Sequence, residues 1–280
     1  MTHYSAHLLV GGLDFPEGPM FDDAGCLWWS EIIGGSVSRR SPDGAVDRFE
    51  IGGSPNGLAR GSADEVLICD GALGVVRMLT PSTGALHAIT DVLDAPNDLA
   101  FDAAGNLIFS CPGNSRTEPT GYVCCLAPGG ALSIVADGLY FPNGIALAAD
   151  GKTVFIAETY RQRILSGAWD AVSREWTARP TPFETTAGAN GPDGLAVGDD
   201  GNLYVAVYGS GCIDVFDPLG TRIDRIATPG RNPTNCAFDP GGQLGLVVTE
   251  AERGELLSFA TIGRGAPPFR PRASVVASPC

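Results

Sequence analysis

The stretch NDLAFDAAGNLIFSC, Asn97 to Cys111, decides the fold. It opens on a side-chain amide, runs on as an apolar strand, turns through a glycine-containing corner and returns as a second apolar strand. The same arrangement recurs on either side of it. Upstream it reads EGPMFDDAGCLWWSE from Glu17 and NGLARGSADEVLICD from Asn56. Downstream it reads NGIALAADGKTVFIAE from Asn143, DGLAVGDDGNLYVAV from Asp193 and NCAFDPGGQLGLVVTE from Asn235. The successive offsets are 39, 41, 46, 50 and 42 residues. A period of about 40–50 residues with four short strands per unit marks the blades of a β-propeller. Further apolar stretches supply the other strands, as GYVCCLAP and ALSIVADG do around Gly129-Gly130 in the third unit.

The six units predict an all-β, six-bladed β-propeller with a central channel. The leading segment SAHLLVGG is expected to be an outer strand that completes the last blade beside GELLSFAT, hiding sheet edges that open β-structures must otherwise protect. No linker or shift in composition divides the chain, so residues 1–280 read as a single domain, with the tail GRGAPPFRPR as a loop. Gly 38 and Pro 21 are the turn inventory of such a fold and argue against long helices. Trp28 and Trp29 point to opposite sides of one strand, and at least one should pack between blades.

Composition narrows the chemistry. A formal charge of -14 repels phosphate backbones and argues against nucleic acid. Lys152 stands alone as a lysine, and His3, His7 and His87 are the histidines, so Schiff-base chemistry and histidine-based catalysis have few candidates. No apolar run is long enough for a membrane span, and Met1 to Val10 lacks the basic start of a secretory signal. The eight cysteines form no C-x-x-C pair and read as buried thiols of a reducing cytoplasm. The chain is expected to be cytoplasmic, as a monomer or homodimer.

The first strand of each propeller blade lines the channel. The leading residues Glu17, Asn56, Asn97, Asn143, Asp193 and Asn235 should therefore ring one mouth of it. Each has a side-chain oxygen. Asn-Gly and Asp-Gly are also ordinary turn pairs, yet Glu17 is no turn former and each unit continues straight into a strand. Two carboxylates and several amide oxygens suit a hard divalent cation, Ca2+ first, with Zn2+, Mn2+ or Mg2+ as alternatives. The second strand of each unit returns to the same mouth. Its end, at Glu31, Asp70, Ser110-Cys111, Glu158, Tyr208 and Glu250, is expected to face the site, as is the long loop PGNSRTEPTG, a lid or a surface excursion.

EGP at Glu17, PND at Pro96–Asp98, PNG at Pro142–Gly144 followed by DGKTVFIAET, and PDG at Pro192–Gly194 resemble the regucalcin/gluconolactonase family, also called senescence marker protein or luciferin-regenerating enzyme. The resemblance spans almost the whole chain. It implies a six-bladed propeller, a divalent cation in the channel mouth and lactone hydrolysis. It further implies Glu17, Asn143 and Asp193 as metal ligands and Asn97 as a substrate contact or a completion of the metal shell. Sugar-lactonase members often carry Arg two residues before the PND asparagine, where this chain has Ala95. A less polar lactone fits equally well.

The expected reaction is metal-assisted opening of a lactone ring, the cation acting as Lewis acid and Asp193 as general base. Whether Asp193 or a hydroxide from the metal serves as the base stays open. Asn97, Asn56 and Tyr208 are the expected substrate contacts. Three other readings are organophosphate hydrolysis of the fluorophosphatase type with Asp193 as nucleophile, a non-catalytic calcium-binding propeller, and strictosidine-synthase-like condensation.

Overall fold

A computed structural model describes residues 4–62, 64–184 and 191–271. After β1 (His7–Gly11) the chain builds six sheets in turn. Blade one is β2 (Pro16–Phe21), β3 (Leu27–Glu31), β4 (Ser36–Arg40) and β5 (Val46–Glu50). Blade two is β6 (Pro55–Arg60), β7 (Val66–Asp70), β8 (Val75–Thr80) and β9 (Ala85–Ala88). Blade three is β10 (Leu99–Phe101), β11 (Leu107–Cys111), β12 (Gly121–Leu126) and β13 (Leu132–Leu139). Blade four is β14 (Pro142–Leu147), β15 (Thr153–Glu158), β16 (Arg163–Asp170) and β17 (Glu175–Ala178), with the short β18 (Phe183–Glu184) also paired to β16. Blade five is β19 (Gly191–Val197), β20 (Leu203–Tyr208), β21 (Cys212–Phe216) and β22 (Arg222–Ala227). Blade six is β23 (Pro233–Phe238), β24 (Leu246–Glu250) and β25 (Glu255–Phe259), and its outer strand is β1. The protein is an all-β, six-bladed propeller closed by its own beginning, His7 opposite Ser258 and Gly11 opposite Glu255.

The burial of each strand follows from its place in the blade. The second strands β3, β7, β11, β15 and β24 are buried along their whole length. Neighbouring blades cover both of their faces, so they read as unbroken apolar runs rather than as alternation. The outermost β5 is exposed at four of its five residues. The core lies between successive blades. Leu67, Cys69 and Val76 of blade two meet Leu99, Phe109 and Cys111 of blade three. Trp28 packs towards Leu58 and Ile68 of blade two, while Trp29 packs towards Val247 and Leu256 of blade six. Both tryptophans are therefore packing residues, one on each face of β3.

Turn chemistry holds the corners. In the turn between β10 and β11, Asp102 Oδ1 accepts from Ala104 N and Asn106 N, both at 2.8 Å, and Oδ2 accepts from Trp169 Nε1 of blade four at 2.9 Å. One aspartate thus makes a turn and ties two blades together. The seven described cysteines are buried and unpaired, while Cys280 and His3 lie outside the described residues. Among the described residues no helix is long and apolar enough to cross a membrane.

The tail is a loop, as expected, and it packs on the propeller. Ala266 N donates to Val197 O at 2.9 Å, and Phe269 packs against apolar clusters of blades two to four. Residues 265–270 lie across the channel end away from the ring, over a cavity of about 210 Å3 lined by the inner strands.

Candidate metal centre at the channel mouth

The ring residues stand where their strands are irregular. The register of β2, β6, β14, β19 and β23 against the second strands shifts at or beside Glu17, Asn56, Asn143, Asp193 and Asn235. A bulge turns a side chain out of the regular alternation, and here Glu17 stands within reach of Asp98, Asp193 and Asn235, and Asp193 within reach of Asn143. In blade three the strand itself begins only at Leu99, and Asn97 and Asp98 are held by Ser110, whose O and Oγ accept from Asn97 N at 2.9 Å and Asp98 N at 3.2 Å.

The glycine after four of the ring residues has a packing reason. A Cβ on Gly18 would lie 2.6 Å from Asn56 O, and one on Gly144 would lie 2.3 Å from Asp193 O. Gly57 and Gly194 are pressed in the same way by Asp98 Oδ1 at 2.5 Å and Asn235 Cγ at 2.0 Å. Each inner strand touches the ring residue of the next. The Asn-Gly and Asp-Gly pairs are thus close-approach sites within strands rather than tight turns. Two junctions lack glycine and are closed by hydrogen bonds. Asp98 Oδ2 accepts from Ile145 N at 3.0 Å, and Thr234 Oγ1 donates to Pro16 O at 2.7 Å.

Glu17, Asn143, Asp193 and Asn235 are buried, and Asn56 and Asn97 are half-buried. Gly18 N donates to Glu17 Oε2 at 2.9 Å, and Asn143 Nδ2 donates to Thr159 Oγ1 at 3.2 Å. Thr159 in turn donates to Pro192 O at 2.7 Å, which fixes Asn143 relative to the strand carrying Asp193. Neither Glu17 nor Asp193 has a cationic side chain as partner among the described residues. Burial pushes the Glu17 carboxyl from its ordinary 4.5 to about 8, with repulsion from Asp98 adding to the rise and the Gly18 amide opposing it. Asp193 is raised well above the usual carboxylate range by burial first, then by the charges of Glu17 and Asp98. Asp98 is raised to about 6 by burial, moderated by the Ile145 and Leu99 amides.

This arrangement lacks positive charge and suits a cation. Two carboxylates are buried within electrostatic reach of each other, a costly state without a counter-charge. Asn56 Oδ1, buried on the same ring, has no hydrogen-bond partner among the described residues. No three His, Cys, Asp or Glu side chains among the described residues are grouped tightly enough to hold a metal by themselves. The donors available are Glu17 and Asp193 completed by amide oxygens such as that of Asn143, a set that suits a hard divalent ion.

Four acids at the second-strand ends, expected to face the site, turn instead to backbone amides. Asp70 Oδ1 accepts from Ser54 N at 3.0 Å and Leu73 N at 3.1 Å, and Oδ2 pairs with Arg77 at 2.6 Å. Glu31 accepts from Asp14 N at 2.8 Å and pairs with Arg48; Glu158 accepts from Tyr140 N at 2.8 Å and pairs with Arg163; Glu250 accepts from the Asn232 and Arg253 amides. These acids are clamps that fasten the segment leading into each inner strand. Cys111 is wholly buried among apolar residues. Tyr208, at the one second-strand end with an aromatic ring, stacks on Phe15 at 6.3 Å between centroids, and the negative field of Asp193 contributes, after burial, to raising its hydroxyl pKa.

Three further features were not read from the sequence. Asp98 occupies the place where other units carry Gly18, Gly57, Gly144 and Gly194, a difference that aligning the units displays. Phe15, Ala95 and Phe141, each two residues before a ring member, have φ of 61°, 50° and 58°. Such values cost a bulky residue about 1–3 kcal/mol and concentrate at functional sites. Phe141 meets Tyr160 edge-to-face at 5.4 Å, and Arg116 of the 112–121 loop lies over both rings.

Residues 15–252 match the family model described as SMP-30/gluconolactonase/LRE-like region. The chain belongs to this family. Within it, the chain is similar to the lactonase drp35 of Staphylococcus aureus (strain bovine RF122 / ET3-1), 28% identical over 264 residues that cover 85% of this chain and 79% of the relative. The drp35 lactonase of Staphylococcus saprophyticus is 30% identical, covering 80% of this chain and 75% of the relative. Among solved structures, the gluconolactonase XC5397 of Xanthomonas campestris superposes with a TM-score of 0.79 at 27% identity, covering 90% of this chain and 89% of that one. The calcium-binding protein regucalcin of Agrobacterium tumefaciens shares the fold, with a TM-score of 0.83 at 22% identity over 97% of this chain and 99% of that one.

Proposed function

We propose that this SMP-30/gluconolactonase-like chain hydrolyses a lactone with one divalent cation, Ca2+ foremost, held by Glu17, Asn143 and Asp193. The observation that carries the reading is the pair of buried carboxylates, Glu17 and Asp193, gathered at the mouth with no cationic partner among the described residues. The names of the relatives supply the substrate class: the staphylococcal proteins are lactonases and the Xanthomonas structure is a gluconolactonase. A cation in this ring would polarise the lactone carbonyl and stabilise the charge that develops on its oxygen.

The chain's own residues do the rest. Asp193 takes a proton from the attacking water as the new carbon–oxygen bond forms, and the proton passes to the alkoxide released when the ring ester bond breaks. The product is the open hydroxy acid. Asn97 and Asn56, both half-buried, are the proposed contacts that orient the lactone, with Tyr208 beside it. Thr159 keeps Asn143 in place through its two hydrogen bonds.

A panel of lactones followed with a pH indicator tests the reading. Acid release should disappear with EDTA and return with added Ca2+. Asp193→Asn should lower turnover by about 100-fold to 10,000-fold with an unchanged circular-dichroism spectrum. Wild-type turnover in that variant would remove Asp193 from its role, and lactone opening undiminished in EDTA would remove the metal.

A further inference from the structure

We propose that the mouth selects a lactone bearing a carboxylate on a flat apolar body, with Arg116 as the carboxylate anchor. This inference rests on the lactonase reading and names its substrate class. The argument begins with the residues two positions before each ring member: Phe15, Ser54, Ala95, Phe141, Gly191 and Pro233. Each enters its inner strand just ahead of the ring member, a collar by position in the repeat, and only Ser54 among them carries a polar side chain. Among these six residues a polyhydroxylated ring would find a single side-chain hydrogen-bond partner. Two aromatic pairs flank the collar instead. Phe15, at the entry to blade one, stacks on Tyr208 of blade five, and Phe141, at the entry to blade four, meets Tyr160. Phe15, Phe141 and Tyr208 are half-buried and Tyr160 is exposed, so all four keep surface open to a ligand.

Arg116 is built into this rim. Its neighbour Ser115 is buried, and Ser115 Oγ accepts from Phe141 N at 2.9 Å, which fastens the 112–121 loop to the collar. The guanidinium lies 5.6 Å from the centroids of both the Phe141 and Tyr160 rings. Phe141 is two residues from Asn143, and Tyr160 follows Thr159, which holds Asn143. Arg77 is spent on Asp70 and Arg163 on Glu158, whereas Arg161, beside Tyr160, lies over the Tyr140 ring at 3.7 Å from its centroid. Arg116 makes no ion pair or hydrogen bond among the described residues. A guanidinium held near ring faces without an ion pair keeps its N–H groups available, and its planar fork can take a carboxylate with two parallel hydrogen bonds. Beside an acidic ring in a chain of charge -14, it is a feature suited to an anionic group, and it is the arginine that lies over both Phe141 and Tyr160.

The test pairs a phthalide carrying a carboxylate with its primary amide, and adds glucono-δ-lactone as the polyhydroxylated comparison. With the Ca2+-loaded wild type, kcat/KM for the carboxylate should exceed both others by at least about 10-fold. Arg116→Gln should raise KM for the carboxylate by about 10-fold to 100-fold, leaving kcat and amide turnover unchanged. Arg116→Lys should recover part of the loss. Equal use of acid and amide, a preference for the sugar lactone, or indifference to Arg116→Gln overturns the proposal. Binding of phenylacetate and phenylacetamide by calorimetry separates this claim from lactonase activity. If no lactone is opened but phenylacetate binds at least about 10-fold tighter, and Arg116→Gln removes the difference, the anchor stands while the reaction falls. If the two ligands bind alike, or the difference survives in Arg116→Gln because the ion holds the carboxylate, the anchor falls.

Discussion

At the scale of single residues, Glu17 and Asp98 make the metal-free protein sensitive to pH. Their carboxyls lie at about 8 and about 6 in the folded chain, above ordinary values of 4.5 and 3.8. A raised carboxyl binds its proton more tightly folded than unfolded. Its contribution to stability is therefore whole below the ordinary value and is lost as pH rises through the folded value. The Tm of EDTA-treated protein should fall by roughly 5–10 °C between pH 5 and pH 8, and added Ca2+ should restore most at pH 8. A flat or rising profile would show that another charge already neutralises Glu17. Asp98 also marks a limit of reading by type. It is legible as an exception among glycines only when the units are aligned, and its effect on Glu17 and Asp193 depends on a depth that no single sequence states.

At the scale of strands, the clamps explain why so many second strands end in an acid. Asp70 is wholly buried, holds two backbone amides and pairs with Arg77, itself only 8% exposed. Arg77→Met removes the partner and leaves the carboxylate buried, so it should cost about 3 kcal/mol, read as a lower midpoint in urea. Arg163→Met at the corresponding Glu158 clamp should cost about 1 kcal/mol or less, because its side chain is 36% exposed and water screens the pair. Equal losses at the two sites would mean that the amide contacts, not the arginines, carry the clamp. These acids looked like site residues in the sequence because periodicity places them at the right end of the right strand. Whether a carboxylate then turns to the channel or to the backbone beneath it is settled by loop geometry, which residue spacing does not encode.

For the whole molecule, a 40–50 residue period and a spare N-terminal strand sufficed to foresee six blades and their closure through β1 and β25, because the propeller repeats one local pattern. The aromatic collar and Arg116 stayed illegible because they are assembled from segments distant in the chain, around backbone angles that Phe15 and Phe141 are not expected to adopt. The close approach of the inner strands carries a further consequence. With four junctions set by contact at Gly18, Gly57, Gly144 and Gly194 and two by hydrogen bonds, the aperture has almost no freedom to contract. For the cation proposed above it would act as a size gauge. Ca2+ accepts irregular shells at about 2.3–2.6 Å, whereas Mg2+ demands a near-ideal octahedron at about 2.0–2.1 Å. Calorimetric titration should therefore find Ca2+ bound at least about 10-fold more tightly than Mg2+. Gly144→Ala, which wedges the aperture at Asp193, should erode that margin along with the affinity, making the bare backbone between two blades a determinant of which ion the protein accepts.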